Sequence, residues 1–296
     1  MKKSTKADLV LVLVVSLWGT SFALVKGALD YVTPALFVLL RFLIAGGVWG
    51  VLYHRRLREV RPGTWWRGLV LGAVLGGGFI MQTAGLELTT ASMSGFITGL
   101  NVIIVPLLVV LLERRLPRWT AMLGVALCTV GLWVMTAPEG AGLNTGDVLT
   151  IGCAFLFALY IVLVEIFTGE EGYDSRALAL IQVFGVFLVT LPALPLLEVP
   201  RVHFTWAFTW RWIVLGTMAA VTLALQLHWQ RFITATRAAI IFTLEPPLAA
   251  LFAFMLLGEI LVPAAYAGGA LIFLGMLVAE GGARLFPAGR AGGDLA

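Results

Sequence analysis

The sequence predicts an all-α, polytopic membrane protein. Four observations carry that prediction. Of the 296 residues, 60% are hydrophobic and only 12% are charged, where a soluble domain carries roughly a quarter charged residues. The mean hydropathy is +0.99, more apolar surface than one soluble core of this length could hide. The apolar residues also fall into ten runs, each near the roughly 20 residues that a helix needs to cross a bilayer. Finally, the two halves of the chain resemble each other.

Taken in order, the first run covers 8–26, holds Trp18 and Gly19, and ends at Lys26. It lacks a small-residue cleavage site, so it is expected to remain as a helix. The second, 34–53, starts at Pro34 and contains Arg41. The third, 68–88, follows Arg61–Pro62–Gly63 and carries Gln82 and Thr83. The fourth, 92–112, carries Thr98 and Asn101; the fifth, 119–137, follows Pro117. The loop from Pro138 to Gly146 leads to the sixth, 146–167, with Tyr160 and Glu165. The seventh, 176–197, holds Gln182, and the eighth, 211–232, comes after Pro200 and holds Gln226 and His228. The ninth, 238–258, contains Glu245 before Pro246 and Pro247, and the tenth, 263–283, opens at Pro263. Proline and glycine at the joints are the expected punctuation. Glycine within the runs is tolerated in lipid.

Lys and Arg set the direction. With a cytoplasmic N-terminus, that side collects Lys2, Lys3, Lys6, Arg55, Arg56, Arg58, Arg61, Arg67, Arg114, Arg115, Arg118, Arg176, Arg231, Arg237, Arg284 and Arg290. The other side receives only Lys26, Arg201 and Arg211. Both termini are therefore expected in the cytoplasm, in a bacterial inner membrane. The same asymmetry accounts for the net charge of +4 without a nucleic-acid partner. Cys128 and Cys153 lie in apolar runs and suggest neither a disulfide framework nor a metal site. No phosphate-binding glycine loop, metal cluster or Ser–His–Asp set is present in the pattern, so no cofactor, metal or catalytic residue is predicted.

The repeat is seen by setting Leu88–Pro117 against Thr234–Pro263 at one constant offset. Thr90 then meets Thr236, Phe96 meets Phe242, Glu113 meets Glu259 and Pro117 meets Pro263. The expected units are 1–138 and 139–296, each with five spans. An odd number of spans forces the halves into opposite orientations. Inverted repeats are widespread in secondary transporters and put a solute site near the midplane between the repeats. The function that follows is movement of a small organic solute by alternating access. The alternative is a membrane-embedded enzyme acting on a lipid-linked substrate. Partners are the solute and membrane lipid, and the chain is expected as a monomer or a homodimer.

Several motifs together resemble the EamA family of the drug/metabolite transporter superfamily, across nearly the whole chain. They are "LWGTSFALVKGAL" with Trp18, Gly19, Ser21 and Lys26, "TPALFVLLRFLIAG" with Pro34 and Arg41, and "NVIIVPLLVVLLERRL" with Pro106 and Glu113. The set is completed by "LEPPLAALFAFMLLGEIL" with Glu245, Pro246, Gly258 and Glu259, and by the small-residue run "YAGGALIFLGMLVAE". Arg114 departs from the commoner small-residue and Leu pattern. The resemblance implies ten helices in two five-helix repeats and transport of amino acids or other metabolites, often outward.

Ionisable groups inside spans are costly and are the first functional candidates. Arg41 needs a carboxylate, carbonyls or water around it, either to pin helices together or to serve the solute route. Glu245, before two prolines that loosen the helix, is a candidate proton carrier or solute ligand; its structural alternative is pairing with Arg41, Arg237 or His228. Lys26 and Glu165 occupy corresponding span ends and are candidates for gating, with Lys26 snorkelling to the surface. His228 is a packing residue or a proton carrier. Trp18, Gln82, Thr98, Asn101, Tyr160, Gln182 and Gln226 are candidate cavity residues, each with interhelical packing as its alternative.

Overall fold

The computed structural model describes residues 3–55, 60, 62–112, 119–136, 143–168 and 175–285. Glu113, Lys2 and the basic residues Arg56, Arg58, Arg61, Arg114, Arg115, Arg118 and Arg290 lie outside them. Among the described residues the structure is helical, with one isolated antiparallel bridge between Val32 and Val202. The helices are α1 (Lys3–Ala28), α2 (Pro34–Tyr53), α3 (Pro62–Leu88), α4 (Ala91–Thr98), α5 (Asn101–Leu112) and α6 (Trp119–Thr136). They continue as α7 (Thr145–Thr168), α8 (Ser175–Leu197), α9 (Trp206–Gln230), α10 (Ala235–Phe242), α11 (Glu245–Leu257) and α12 (Pro263–Leu285).

Seven helical stretches are long and apolar enough to cross a membrane, one of them Ala91–Leu111, and shorter apolar helices accompany them. Large apolar side chains face outward all round: Val51 is 77% exposed, Leu111 72% and Leu196 80%. Water would not tolerate such a surface, but lipid tails do.

The fourth and ninth apolar runs, expected as continuous helices, are each broken near the middle. The fourth turns at Gly99–Leu100, between α4 and α5, although its proline, Pro106, sits inside α5. The ninth turns at Thr243–Leu244, and Pro246 falls in the first turn of α11, where a missing N–H costs nothing. The two half-helices α4 and α10 start alike. Thr90 accepts from the amide of Met93 at 3.1 Å, and Thr234 accepts from the amide of Arg237 at 3.2 Å. In that role Thr234 answers Thr90, two residues away from the Thr236 that the sequence alignment pairs with it.

Carboxylates from elsewhere in the chain, Glu165 within α7 and Glu259 and Glu198 just past the ends of α11 and α8, cap the starts of α10, α4 and α2, satisfying amides that have no partner within their own helix. Glu259 accepts from the amides of Ala91 and Ser92 at 2.8 and 3.0 Å. Glu165 accepts from Ala235 at 2.7 Å, and Glu198 from Ala35 and Leu36 at 3.0 and 2.9 Å. Helix α7 carries its own reciprocal cap, Asn144 with Asp147, and Asp147 also accepts from Thr89 at 2.9 Å.

Glycine sets the closest helix approaches. A Cβ on Gly72 of α3 would lie 1.9 Å from the Gln182 carbonyl oxygen of α8, and one on Gly185 would lie 2.4 Å from the carbonyl oxygen of Leu69. Trp212 donates to the Leu40 carbonyl at 2.8 Å and ties α9 to α2. Trp65, Trp66, Trp119 and Trp206 are exposed near helix starts, as a belt requires.

Candidate functional site

Helix α11 is the organising element of the site. It lies against Gly19 of α1, where an added Cβ would meet Leu248 at 2.7 Å. It also lies against Gly95 and Gly99 of the α4 end, where a Cβ would meet Ala249 and Pro246, each at 2.4 Å. Three residues without side chains therefore let Glu245 and Pro246 sit hard against the first half of the chain. Trp18, the residue before Gly19, and Glu245 line the same cavity beside this contact.

Around this junction is a cavity of about 490 Å³, counting the open space beside it. Its lining includes Trp18, Gln82, Asn101, Tyr160, Gln226 and Glu245, all expected from sequence. The breaks in the fourth and ninth runs both abut it, since Asn101 opens α5 and Glu245 opens α11. Two further candidates stand behind the lining. Thr98 accepts from Gln82 Nε2 at 3.3 Å, and Gln182 accepts from the Tyr160 hydroxyl at 3.0 Å. Gln226 Nε2 donates to Gln230 Oε1 at 3.0 Å, and Gln230 in turn donates to the Ile161 carbonyl at 2.8 Å. Those bonds fix the amide orientations from behind.

Arg41 is 2% exposed and lies next to this cavity wall. Its guanidinium carbon is 5.1 Å from the Trp18 ring centroid and 4.9 Å from that of Phe79, and both rings line the cavity. Arg41 Nε and Nη2 have no hydrogen-bond partner among the described residues. The partners expected for this cation, a carboxylate or carbonyls, are replaced by two aromatic faces. Asn101 Oδ1 and Gln182 Nε2 are likewise buried without a partner. Buried polar atoms usually find one; among the described residues Ser94 Oγ and Thr120 Oγ1, outside the lining of this cavity, lack one too.

Glu245 makes none of the ion pairs considered for it. Arg237 pairs with Asp8, through contacts of 2.9 and 2.5 Å. His228 Nδ1 lies 3.3 Å from Ser175 Oγ, with the ring edge-on to Trp229 and Phe232. His228 thus belongs to a packing cluster away from the cavity. Lys26 and Glu165 are also away from it. Lys26 is partly exposed, and its Nζ donates to the carbonyls of Leu86, Glu87 and Thr89 at 2.7, 3.1 and 2.8 Å, capping the end of α3.

Sequence reasoning missed the apolar part of the lining: Phe22, Leu75, Phe79, Phe157, Ile161, Leu223 and Phe242. Phe79 is the hub. Its ring lies 5.6 Å from Trp18, 5.4 Å from Phe42 and 5.2 Å from Phe157. An aromatic inside an apolar run carries no sequence mark that separates cavity from core. Among the described residues, His, Cys, Asp and Glu nowhere gather in a group of three that could hold a metal ion.

The family model described as "EamA-like transporter family" matches residues 5–137 and again residues 144–280. The chain belongs to the EamA-like transporter family. An uncharacterized transporter of Archaeoglobus fulgidus is 29% identical over 277 residues, 93% of this chain and 86% of that protein. A crystal structure of a protein 21% identical superposes with a TM-score of 0.69 over 96% of this chain and 99% of that one. At that identity the likeness establishes the fold alone. With its family and its apolar helices, this EamA-like chain is a multi-pass membrane protein of the drug/metabolite transporter type.

Proposed function

We propose that this EamA-like protein is a secondary transporter that exports a small organic solute, an amino acid or similar metabolite, by alternating access. One observation carries the reading. The cavity is built from both halves, with Trp18, Gln82 and Asn101 from 1–138 and Tyr160, Gln226 and Glu245 from 139–296, at the two breaks in the long helices. Broken helices facing each other across a repeat interface are a recurrent way to bind solutes in the bilayer. A carboxylate, three side-chain amides, aromatic walls and a guanidinium one ring away suit a solute with both a cationic and an anionic group.

In this reading the chain crosses the membrane ten times as two inverted five-helix units, 1–138 and 139–296. The contacts between loops support the count. Thr33 with Arg201, Lys26 with Thr89, Thr89 with Asp147, and Glu259 with Ala91 all join one end of the bundle. Asp8 with Arg237, Glu165 with Ala235, and Ser175 with His228 join the other. These contacts mark five changes of end; a return through α2 and α3, a return through α4, α5 and α6, and a last crossing by α12 bring the reading to ten. Lys26 and Glu165, at corresponding positions in the two units, cap helix ends at opposite faces. The end with Asp8 and Arg237 is the cytoplasmic one, as the Lys and Arg bias requires.

The test is Glu245→Gln in liposomes, read for both pH-driven flux and solute exchange. If Glu245 carries the coupling proton, the variant loses the pH dependence and keeps exchange. If Glu245 holds a cationic group of the solute, affinity falls about tenfold or more at every pH. A stable variant that matches the wild type in both assays would remove Glu245 from the mechanism.

A further inference from the structure

A second cavity lies at the end of the bundle where α2 begins and α3 and α8 finish. It is a groove of about 750 Å³, counting the open space beside it. Ile80 and Ala84 of α3 and Leu197 of α8 form its apolar part. Glu87, Glu198 and Arg201 form its polar rim. The groove therefore changes from apolar to charged within a few residues.

That change coincides with the edge of the apolar surface. Helix α8 turns Leu188, Leu191, Leu196 and Leu197 outward, at 54–80% exposure, and past its end the charged Glu198 and Arg201 flank an exposed Val199. Just beyond, Phe204 and Trp206 are 64% and 80% exposed. Exposed aromatics beside the end of an apolar wall mark the headgroup level of a bilayer. The polar rim sits at headgroup height, and the apolar part sits where acyl chains run.

The charges are specific. Glu198 is held by the α2 amides, through both carboxylate oxygens. Glu87 and Arg201 are exposed, and neither side chain has a hydrogen bond or ion pair among the described residues. Around one groove the rim thus offers a carboxylate, Glu87, that feels the charge of Lys26 but holds no hydrogen bond, a partly used carboxylate and a guanidinium. A guanidinium suits a phosphate, with two parallel N–H donors. Two carboxylates suit a primary ammonium, which donates three hydrogen bonds.

We propose that this groove binds a single phospholipid with a primary-amine headgroup, of the phosphatidylethanolamine type. Its phosphate pairs with Arg201, its ammonium with Glu87 and the edge of Glu198, and its acyl chains lie along Ile80, Ala84 and Leu197. A choline headgroup carries the same charge but has no N–H to donate. A glycerol headgroup brings no cation and leaves two carboxylates facing a phosphate. The site is separate from the central cavity and does not depend on which solute is carried.

The experiment is native mass spectrometry of the purified full chain. It is exposed in turn to dioleoyl phosphatidylethanolamine, phosphatidylcholine and phosphatidylglycerol at equal concentration. One molecule of the ethanolamine lipid should be retained with about tenfold preference over the other two, the value of one charge-assisted hydrogen-bond set. Glu87→Gln and Arg201→Gln should each lower that retention about tenfold. Both residues are exposed, so the variants should melt as the wild type does. Ala84→Phe should exclude the lipid by filling the groove while leaving the rim charges in place. Equal retention of the three lipids by the wild type would overturn the proposal without reference to any variant. So would variants that retain the ethanolamine lipid as the wild type does. Glycerophosphoethanolamine, which lacks acyl chains, should not bind; tight binding of it would make the groove a vestibule for soluble solutes instead.

Discussion

Gly72→Ala should damage both stability and the cavity, through one contact. The new Cβ would stand 1.9 Å from the Gln182 carbonyl oxygen and 2.7 Å from the Gly185 Cα. Ordinary C···O contacts are no closer than about 3.3 Å, so the α3–α8 seam must open by about 1.4 Å. Both opposing atoms are backbone, and no rotamer change relieves them. Overpacking of this kind costs about 1–3 kcal/mol, and a rigid neighbour puts this site near about 3 kcal/mol. Gln182 is the residue that accepts from the Tyr160 hydroxyl at 3.0 Å. Displacing its backbone by that amount detaches the bond and lets Tyr160 swing in the cavity wall. The reference is Gly50→Ala on α2, where nothing lies within 4 Å of the added Cβ. There only helix propensity changes, and Ala should gain up to about 1 kcal/mol. Detergent-solubilised protein melted by fluorescence-detected size exclusion reads both. Gly72→Ala should lower the melting temperature by on the order of 5 °C or more, and Gly50→Ala should hold or raise it. Equal melting of Gly72→Ala and wild type would refute the packing argument at its base.

The remaining predictions concern charge and one helix interior. Arg41→Met should keep or raise thermal stability, because it removes a buried cation whose Nε and Nη2 go unpartnered, yet it should abolish solute-dependent thermal shifts; a loss of about 3 kcal/mol would show that Arg41 pins helices. Glu259→Ala should cost about 1–2 kcal/mol in the same melt, since the amides of Ala91 and Ser92 lose their cap, while Glu259→Gln should cost less. A reporter active only in the periplasm, fused after Ala296, should stay silent; a strong signal there would overturn the proposed orientation. Ala220→Pro should unfold the chain, by removing an amide in the middle of α9 beside the carbonyl that accepts from Trp49 Nε1 at 2.9 Å; normal expression would contradict the helix assignment.

The parts legible in the sequence are those in which one residue type has one physical use. A run of apolar residues about as long as a bilayer is thick reads as a helix, and among the described residues seven helical stretches of that kind stand beside three shorter apolar ones. Polar side chains within those runs, such as Gln82, Asn101 and Gln226, had to meet one another somewhere, and they line one cavity. The broken fourth run was not legible. Its turn falls at Gly99–Leu100, and glycine is too common in these spans to stand out. Its proline, the residue that would draw attention, lies inside α5. The repeat register slipped by two residues for a related reason. Sequence alignment rewards identical letters, such as Thr90 with Thr236, whereas the helix start needs a hydroxyl three residues before a free amide, which Thr234 provides. Lys26 shows a third kind of limit. A cation at a helix end reads as snorkelling, because solvent is the default partner. Its true partners are three carbonyls some sixty residues away, and nothing local announces them. The same limit covers Arg41, whose partners are the faces of Trp18 and Phe79. A cation held only by aromatic rings, with donors to spare beside a polar cavity, is costly for a purely structural role. That cost is what the Arg41→Met comparison measures. If stability rises as solute response falls, the guanidinium is kept for the solute and the fold carries it at a loss.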